Sequence, residues 1–243
     1  MVRSFQKFVA ASLMLLAAPA SAEPYSAIVA DVDTGIILTA DHIDGARSPD
    51  LLGRLLVLTM AIQDVADGTL DAGEEIRIKR DETALIAEAL QEAAAGDQGY
   101  RAPLTALAGR VGHNAEILEK RIEALQTRVG MLGTDITIER ANDGGPEFVG
   151  YTTIRDVSRL AVSLLRAHGP ATATVFASAT GDPSPTWIWI SDQQSCLLAA
   201  KGPSTGRLMV AGLTGSPDDL SCFEAAAGLL SDQDTRILSA ATE

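Results

Sequence analysis

The chain has 243 residues, of which 47% are hydrophobic, and a formal net charge of −13. That length supports an ample buried core in one domain, or in one domain with a subdomain. The acidic balance argues against binding to nucleic acid and against docking on anionic lipid, because like charges repel.

The first 22 residues have the pattern of a secretory signal peptide. Arg3 and Lys7 make the start basic, an apolar segment follows, and an Ala-Ser-Ala pattern ends at Ala22. The apolar segment is too short to span a bilayer, which disfavours the alternative of an uncleaved membrane anchor. We therefore expect export to the periplasm and one mature domain over 23–243, with no stable membrane insertion and no C-terminal anchor domain.

Periodicity predicts the next elements in chain order. Two strands, 27–30 and 36–38, flank a tight turn. A helix follows, with Ser48 as its N-cap and Pro49 at its first position, and its apolar character on nearly all sides predicts central burial. The remaining predicted strands are 75–79, 135–139, 186–190, 196–200 and 208–213. The remaining predicted helices are 82–95, one beginning at Pro103, 115–128, one capped by Thr152 or Thr153 and ending at Leu165, and 219–230.

Strands at both ends of a helical middle are typical of an α/β fold in which helices flank an antiparallel sheet. The two cysteines, Cys196 and Cys222, predict one structural disulfide, because exported proteins favour oxidised pairs. Two free thiols are the alternative, since sequence alone does not supply the geometry of a disulfide. No cysteine or carboxylate cluster occurs at ligand spacing near His113, so we expect no metal and no other cofactor.

Five segments, in the same order along the chain, resemble one known family. Asp31, Thr34 and Gly35 match an Asp-x-x-Thr-Gly turn, and 151–156 match a Tyr-Ser-Thr-Ala-x-Asp helix start. The other matching segments are 125–134, 196–213 and 225–230. Together they resemble the serine D-alanyl-D-alanine carboxypeptidases, the low-molecular-weight penicillin-binding proteins. The resemblance covers about 25–230 and implies a β-lactamase-like fold with a helical subdomain.

The catalytic motifs of that family are degenerate here. Where the resemblance implies Ser-x-x-Lys at the start of the first long helix, the chain has Leu51 and Arg54. Leucine has no hydroxyl to act as a nucleophile, and an arginine guanidinium stays protonated and does not serve as a base. Ser48 is an alternative nucleophile, but its position before Pro49 fits an N-cap.

The two other motifs are also missing at the aligned positions. The resemblance places Ser-x-Asn at 112–114, where the chain has Gly112, His113 and Asn114. Asn114 is a candidate for ligand binding, although it fits a helix cap better than a catalytic remnant. The Lys-Thr-Gly strand aligns with 186–188, which is Thr-Trp-Ile.

Two tryptophans on that predicted strand are candidates for ligand binding. Trp187 and Trp189 are two residues apart, so a regular strand would place both on one face. Such a pair is suited to stacking on sugars or on a partner protein. Packing against the core is the alternative, and it is the commoner role of tryptophan on strands.

Three functional hypotheses follow. The first is a catalytically inactive carboxypeptidase homologue of the cell envelope that binds peptidoglycan fragments or an envelope protein. The second is an active serine-type D-Ala-D-Ala carboxypeptidase with a displaced nucleophile, acting on peptidoglycan stem peptides. The third is a structural or regulatory scaffold without a small-molecule site. The joint loss of all three motifs favours the first hypothesis.

Overall fold

The computed structural model describes residues 25–95, 99–141, 144–180, 186–192, 195–215 and 219–242. The predicted signal peptide lies outside these residues. The strands are β1 Ser26–Asp31, β2 Ile37–Asp41, β3 Glu75–Lys79, β4 Glu82–Leu85, β5 Asp135–Arg140, β6 Pro146–Tyr151, β7 Thr186–Ser191, β8 Ser195–Lys201 and β9 Leu208–Thr214. The helices are α1 Asp50–Ala66, α2 Ile86–Ala94, α3 Arg101–Gly112, α4 Ala115–Val129, α5 Ile154–Thr180 and α6 Asp219–Thr242.

The main sheet is antiparallel throughout, with the strand order β2-β1-β9-β8-β7. Strands from the two ends of the chain therefore meet at its centre, where β1 pairs with β9. The pairs β3–β4 and β5–β6 form separate two-stranded hairpins beside the helical middle. The expected α/β architecture, an antiparallel sheet flanked by helices, is confirmed.

Alternation along the strands divides the core into two layers. Ile28 and Ala30 face the large cluster that α5 and the helical middle cover, whereas Ala27 and Val29 face α6. This is the two-residue period of a sheet that is covered on both faces. The helix α1 lies in the larger layer and is buried along most of its length, as its apolar sequence predicts. No helix among the described residues is long and apolar enough to cross a membrane.

Two strands, β4 and β6, are not predicted by the sequence pattern. The segment of β4 was expected to be helical, but it pairs with β3, and the helix α2 begins only at Ile86. The strand β6 contains Pro146 and Gly150, residues with poor strand propensity. Pro146 is tolerated because it opens the strand, and Gly150 is needed because a Cβ there would lie 2.1 Å from the Asp135 carbonyl oxygen. Tertiary pairing thus overrides local preference in both strands.

Two helices extend beyond their predicted ends. The helix α5 breaks at His168, where φ is −136° and ψ is 32°, but it resumes and reaches Thr180. Pro170 is compatible with this because it stands just after the break, near the start of the second helical part, where a missing N–H costs little. The helix α6 also continues past the predicted end at 230, as far as Thr242.

Candidate functional site

The start of α1 is the segment that the sequence resemblance aligns with the family's nucleophile motif. Leu51 is 2% exposed and Arg54 is 3% exposed, so both side chains are buried. The helix begins at Asp50 with Pro49 as its N-cap, one residue later than predicted. Ser48 therefore does not occupy the N-cap position, although its Oγ accepts a long bond of 3.4 Å from the Asp50 N–H.

Arg54 joins three segments that are distant in sequence. Its Nε donates to the Ala93 carbonyl near the end of α2 at 2.7 Å, and its Nη1 donates to the Ser191 carbonyl at the end of β7 at 3.3 Å. The guanidinium also lies over the Tyr100 ring, 4.4 Å from its centroid. A buried cation needs such partners, because desolvation without them is costly. Arg54 is therefore a bonded part of the packing.

A phenylalanine lies over the same turn of α1. Phe148 of β6 is 7% exposed, and a Cβ at Gly53 would lie 2.1 Å from its Cδ2. The glycine is thus required by the close approach of this ring. The remaining cleft, which Arg54, Tyr100 and Phe148 line, has a volume of about 160 Å³. Ligand pockets usually measure about 300–1,000 Å³.

The residues aligned with the Ser-x-Asn motif lie at the junction of α3 and α4. Asn114 is the N-cap of α4, where its side chain accepts the Ile117 N–H at 2.9 Å, as the cap interpretation predicts. Gly112 is packed so closely that a Cβ would lie 2.6 Å from the Cβ of Leu118. The described contacts of Arg54 are with Ala93, Ser191 and Tyr100.

The two tryptophans are on opposite faces of the sheet, so the expectation that they share a face is wrong. The pairing of β7 with β8 is irregular between Thr186 and Ile188, and this bulge reverses the alternation. Trp187 packs against the larger core, with the Lys201 Nζ 5.5 Å from its ring centroid. Trp189 packs against the other core and meets Phe223 of α6 edge-on, with ring centroids 5.0 Å apart. They do not form a paired stacking platform.

Ser48 has no lysine among the contacts that the structure gives it. It is exposed, and its Oγ donates to the Asp50 carboxylate at 2.9 Å. The lysines of the described residues have other partners: Lys79 pairs with Glu82, Lys120 with Glu116, and Lys201 lies over Trp187. Across the described part of the chain, no three histidine, cysteine or acidic side chains are grouped to hold a metal ion.

The segments that resemble the family hold the scaffold together. Asp31 is fully buried; its Oδ1 accepts the N–H and hydroxyl of Thr34, and its Oδ2 accepts from Arg207 at 2.8 Å. Burial alone would raise the pKa of Asp31, but the bonds from Thr34 and Arg207 outweigh it and lower that pKa. The Asp-x-x-Thr-Gly turn is therefore an ionic clamp between the β1–β2 turn and the β8–β9 turn.

A second clamp fixes the start of α5. The Asp156 carboxylate accepts the Gly133 N–H at 2.7 Å and the Thr134 hydroxyl at 2.9 Å. Thr153 precedes the helix, and its Oγ1 accepts the Asp156 N–H at 3.2 Å, which confirms the predicted cap. The two matching segments that these residues belong to therefore complete each other's hydrogen bonds.

The predicted disulfide is present. Cys196 of β8 and Cys222 of α6 are joined, with their Cα atoms 6.2 Å apart. Both residues are buried between the sheet and this helix. The bridge is therefore structural.

The sequence patterns did not predict which residues surround the first turn of α1. Tyr100, Phe148 and Ser191 all lie at or beside Arg54 or Gly53, but no local pattern marks them. Phe148 belongs to β6, which the sequence pattern does not predict. A buried arginine in an apolar helix was the one available signal, because such a charge must find partners.

Comparison with solved structures finds the same architecture. D-alanyl-D-alanine carboxypeptidase DacD from Francisella tularensis matches with a TM-score of 0.65 at 14% identity, over 84% of this chain and 68% of that one. Penicillin-binding protein D2 from Listeria monocytogenes, in an ampicillin-bound form, gives 0.64 at 13% identity, over 86% and 96%. Penicillin-binding protein 5 from Haemophilus influenzae gives 0.66 at 14% identity, over 84% and 68%.

Comparison at the level of sequence finds no protein-family model and no curated protein that matches. The likeness is therefore one of structure, at identities that establish the fold alone. It agrees with the resemblance in the five sequence segments. The chain has the fold of the low-molecular-weight penicillin-binding proteins.

Proposed function

We propose that this protein is a non-catalytic protein of the cell envelope. It is exported to the periplasm and binds peptidoglycan fragments without cleaving them. One observation carries the proposal: the buried guanidinium of Arg54, at the position where the resemblance implies the family's lysine, is bonded to two main-chain carbonyls. Leu51 leaves no nucleophile one turn before it. An enzyme of this type that lacks both groups loses several orders of magnitude in rate.

We assign binding to a groove beside the small cleft at Arg54. This groove has a volume of about 530 Å³ and lies between α3, α4 and the β5–β6 hairpin. It shares Thr105 and Pro146 with the small cleft at Arg54, so the two are neighbours. Asn114 and Arg140 supply polar groups, and Leu118 and Ile138 supply apolar contact. A mixture of this kind suits a peptide that carries small aliphatic side chains and a carboxylate.

The test plugs the groove without disturbing the scaffold. A Cβ at Gly109 would meet nothing within 4 Å, and the residue lines the groove. We expect Gly109→Trp to abolish binding of a purified muropeptide in calorimetry, while wild type binds it. The matched control is Gly228→Trp on α6, where a Cβ also meets nothing within 4 Å.

Hydrolysis is measured in the same samples. The account predicts that wild-type protein releases no D-alanine from a stem pentapeptide above the rate without protein. Release that is lost in Ser48→Ala would establish the alternative, an active carboxypeptidase with a displaced nucleophile. If wild type neither binds nor cleaves the muropeptide, the groove assignment is wrong and an envelope protein becomes the partner to seek.

A further inference from the structure

A second cleft, remote from the closed site, is lined by four arginines. It lies between the β1–β2 hairpin and α5, beside the end of α4, and has a volume of about 530 Å³. The arginines are Arg128, Arg155, Arg159 and Arg166. Such a cluster is unusual on a chain whose formal net charge is −13, so its concentration at one cavity calls for an explanation.

Carboxylates match two of these guanidinium charges. Arg155 holds the Asp44 carboxylate through bonds of 2.6 and 2.7 Å. Arg159 lies 3.5 Å from Asp156, which is 1% exposed. These two arginines are therefore largely neutralised where they stand.

The other two arginines contact neutral oxygens. Arg128 donates to the Gln63 side-chain oxygen at 3.1 Å. Arg166 donates to the main-chain carbonyls of Val32 and of Asp33. Among the residues that the structure describes, neither has a salt bridge to a carboxylate. The cleft therefore keeps a positive charge that the fold itself does not balance.

An aliphatic wall completes the cleft. Ile37, Val129 and Val162 supply apolar contact beside the arginines. Ser158 also lines the cleft, but its Oγ is buried and lies 2.8 Å from where a Cβ on Gly212 would be, so it belongs to the packing against β9.

We propose that this cleft binds a small amphiphilic anion, meaning a carboxylate or phosphate group attached to a short aliphatic body. Arg128 and Arg166 supply the charge that attracts the anion, because a guanidinium stays protonated and neither is paired with a described carboxylate. The aliphatic wall takes the body. This site is distinct from the groove assigned to peptidoglycan fragments, since the two share no lining residue and only α4 contributes to both.

The experiment titrates purified mature protein with four probes in low salt, using calorimetry. The probes are hexyl phosphate, hexanoate, hexanol and inorganic phosphate. We expect the two amphiphilic anions to bind with a Kd of about 1 mM or tighter, which is reasonable for ligands of this size. Hexanol and inorganic phosphate should bind about 10-fold more weakly, because each lacks half of the recognition. Equal binding of all four probes, or of none, would overturn the assignment.

Two variants locate the site. Arg128→Gln removes a charge whose described bond is only to Gln63, and we expect about 5-fold weaker binding of hexyl phosphate. Ser163→Glu adds a carboxylate to the cleft wall and should abolish binding, with an unchanged melting temperature showing that the fold persists. Arg77→Gln, on the exposed face of β3, is the control and should bind as wild type does. Unchanged binding in both cleft variants would contradict the proposal.

A further arm separates a free solute from a lipid headgroup, which share this chemistry. Vesicles of phosphatidylglycerol and of phosphatidylcholine are sedimented with the protein. The negative charge of the chain disfavours an anionic bilayer, so we expect no sedimentation and a free solute as the source. Sedimentation with phosphatidylglycerol alone that Ser163→Glu abolishes would identify a lipid in the same cleft. Sedimentation that this variant leaves unchanged would count against the cleft as the anion site.

Discussion

The guanidinium carbon of Arg54 lies 4.4 Å from the centroid of the Tyr100 ring. This contact occupies space beside the first turn of α1, and hydrogen bonds from the same guanidinium fix it to α2 and β7. The arrangement has the character of a core contact, because every partner is part of the fold. It explains how a penicillin-binding-protein-like scaffold accommodates an arginine in the first turn of α1.

Removal of this arginine should destabilise the protein. We expect Arg54→Ala to lower the free energy of unfolding by about 3 kcal/mol, because two carbonyls lose their donor and a cavity remains. Arg54→Lys should recover only part of that loss, since an ammonium does not reproduce the fork or the stacking. Urea denaturation measures both variants. Arg77→Ala, at an exposed position, is the control and should change stability by less than about 0.5 kcal/mol.

The contact with Tyr100 is separable by a double-mutant cycle. We expect Arg54→Ala and Tyr100→Leu to couple by about 1 kcal/mol. Additive effects would mean that the ring merely lies near the guanidinium and contributes nothing to its stability.

Because Phe148 packs on Gly53, replacing this glycine by alanine should change stability in the opposite direction to the usual one. Glycine to alanine within a helix normally stabilises by about 1 kcal/mol. Here Gly53→Ala should destabilise, because the new Cβ would lie 2.1 Å from the Phe148 Cδ2. In a Phe148→Ala background the same substitution should become neutral or stabilising. Gly228→Ala on α6, where a Cβ meets nothing within 4 Å, is the matched control and should stabilise the protein.

The strands and helices were largely predictable from the sequence, whereas the neighbours of Arg54 were not. The strands and helices rest on local signals such as the caps at Asn114 and Thr153. The neighbours of Arg54 come from segments far away in sequence, and two of them depend on bulged or unpredicted strands. The bulge in β7 also separates Trp187 from Trp189, and an alternation count along a regular strand does not foresee it.

The Asp31 clamp should make stability depend on acid pH. Hydrogen bonds lower the pKa of Asp31 in the folded protein, so its contribution is complete above the ordinary carboxyl pKa of about 3.9. That contribution is lost as the pH falls through the lowered folded value. Asp31→Asn should therefore be less stable at pH 7 by about 1–3 kcal/mol and show a shallower loss of stability on acidification. Parallel stability curves for the two proteins between about pH 5 and pH 2 would refute this assignment.

The disulfide should contribute measurably to stability. Its cysteines are 26 residues apart, and closing a loop of that length in the unfolded chain is worth about 3 kcal/mol. We expect Cys196→Ala/Cys222→Ala to lose about this amount in denaturation experiments. A reducing agent should destabilise wild type toward the variant and leave the variant itself unchanged. If reductant shifted both proteins equally, the loss would not come from this bridge.

Labelling with a fluorescent penicillin determines whether the start of α1 holds a working nucleophile. Purified mature protein is incubated beside an active low-molecular-weight penicillin-binding protein as the positive control, denatured, and separated on a gel. The account predicts a labelled control and no covalent adduct on this protein, because Leu51 has no hydroxyl and Arg54 is not a base. A stoichiometric adduct that maps to a serine, and above all one lost in Ser48→Ala, would contradict the account and establish an active enzyme.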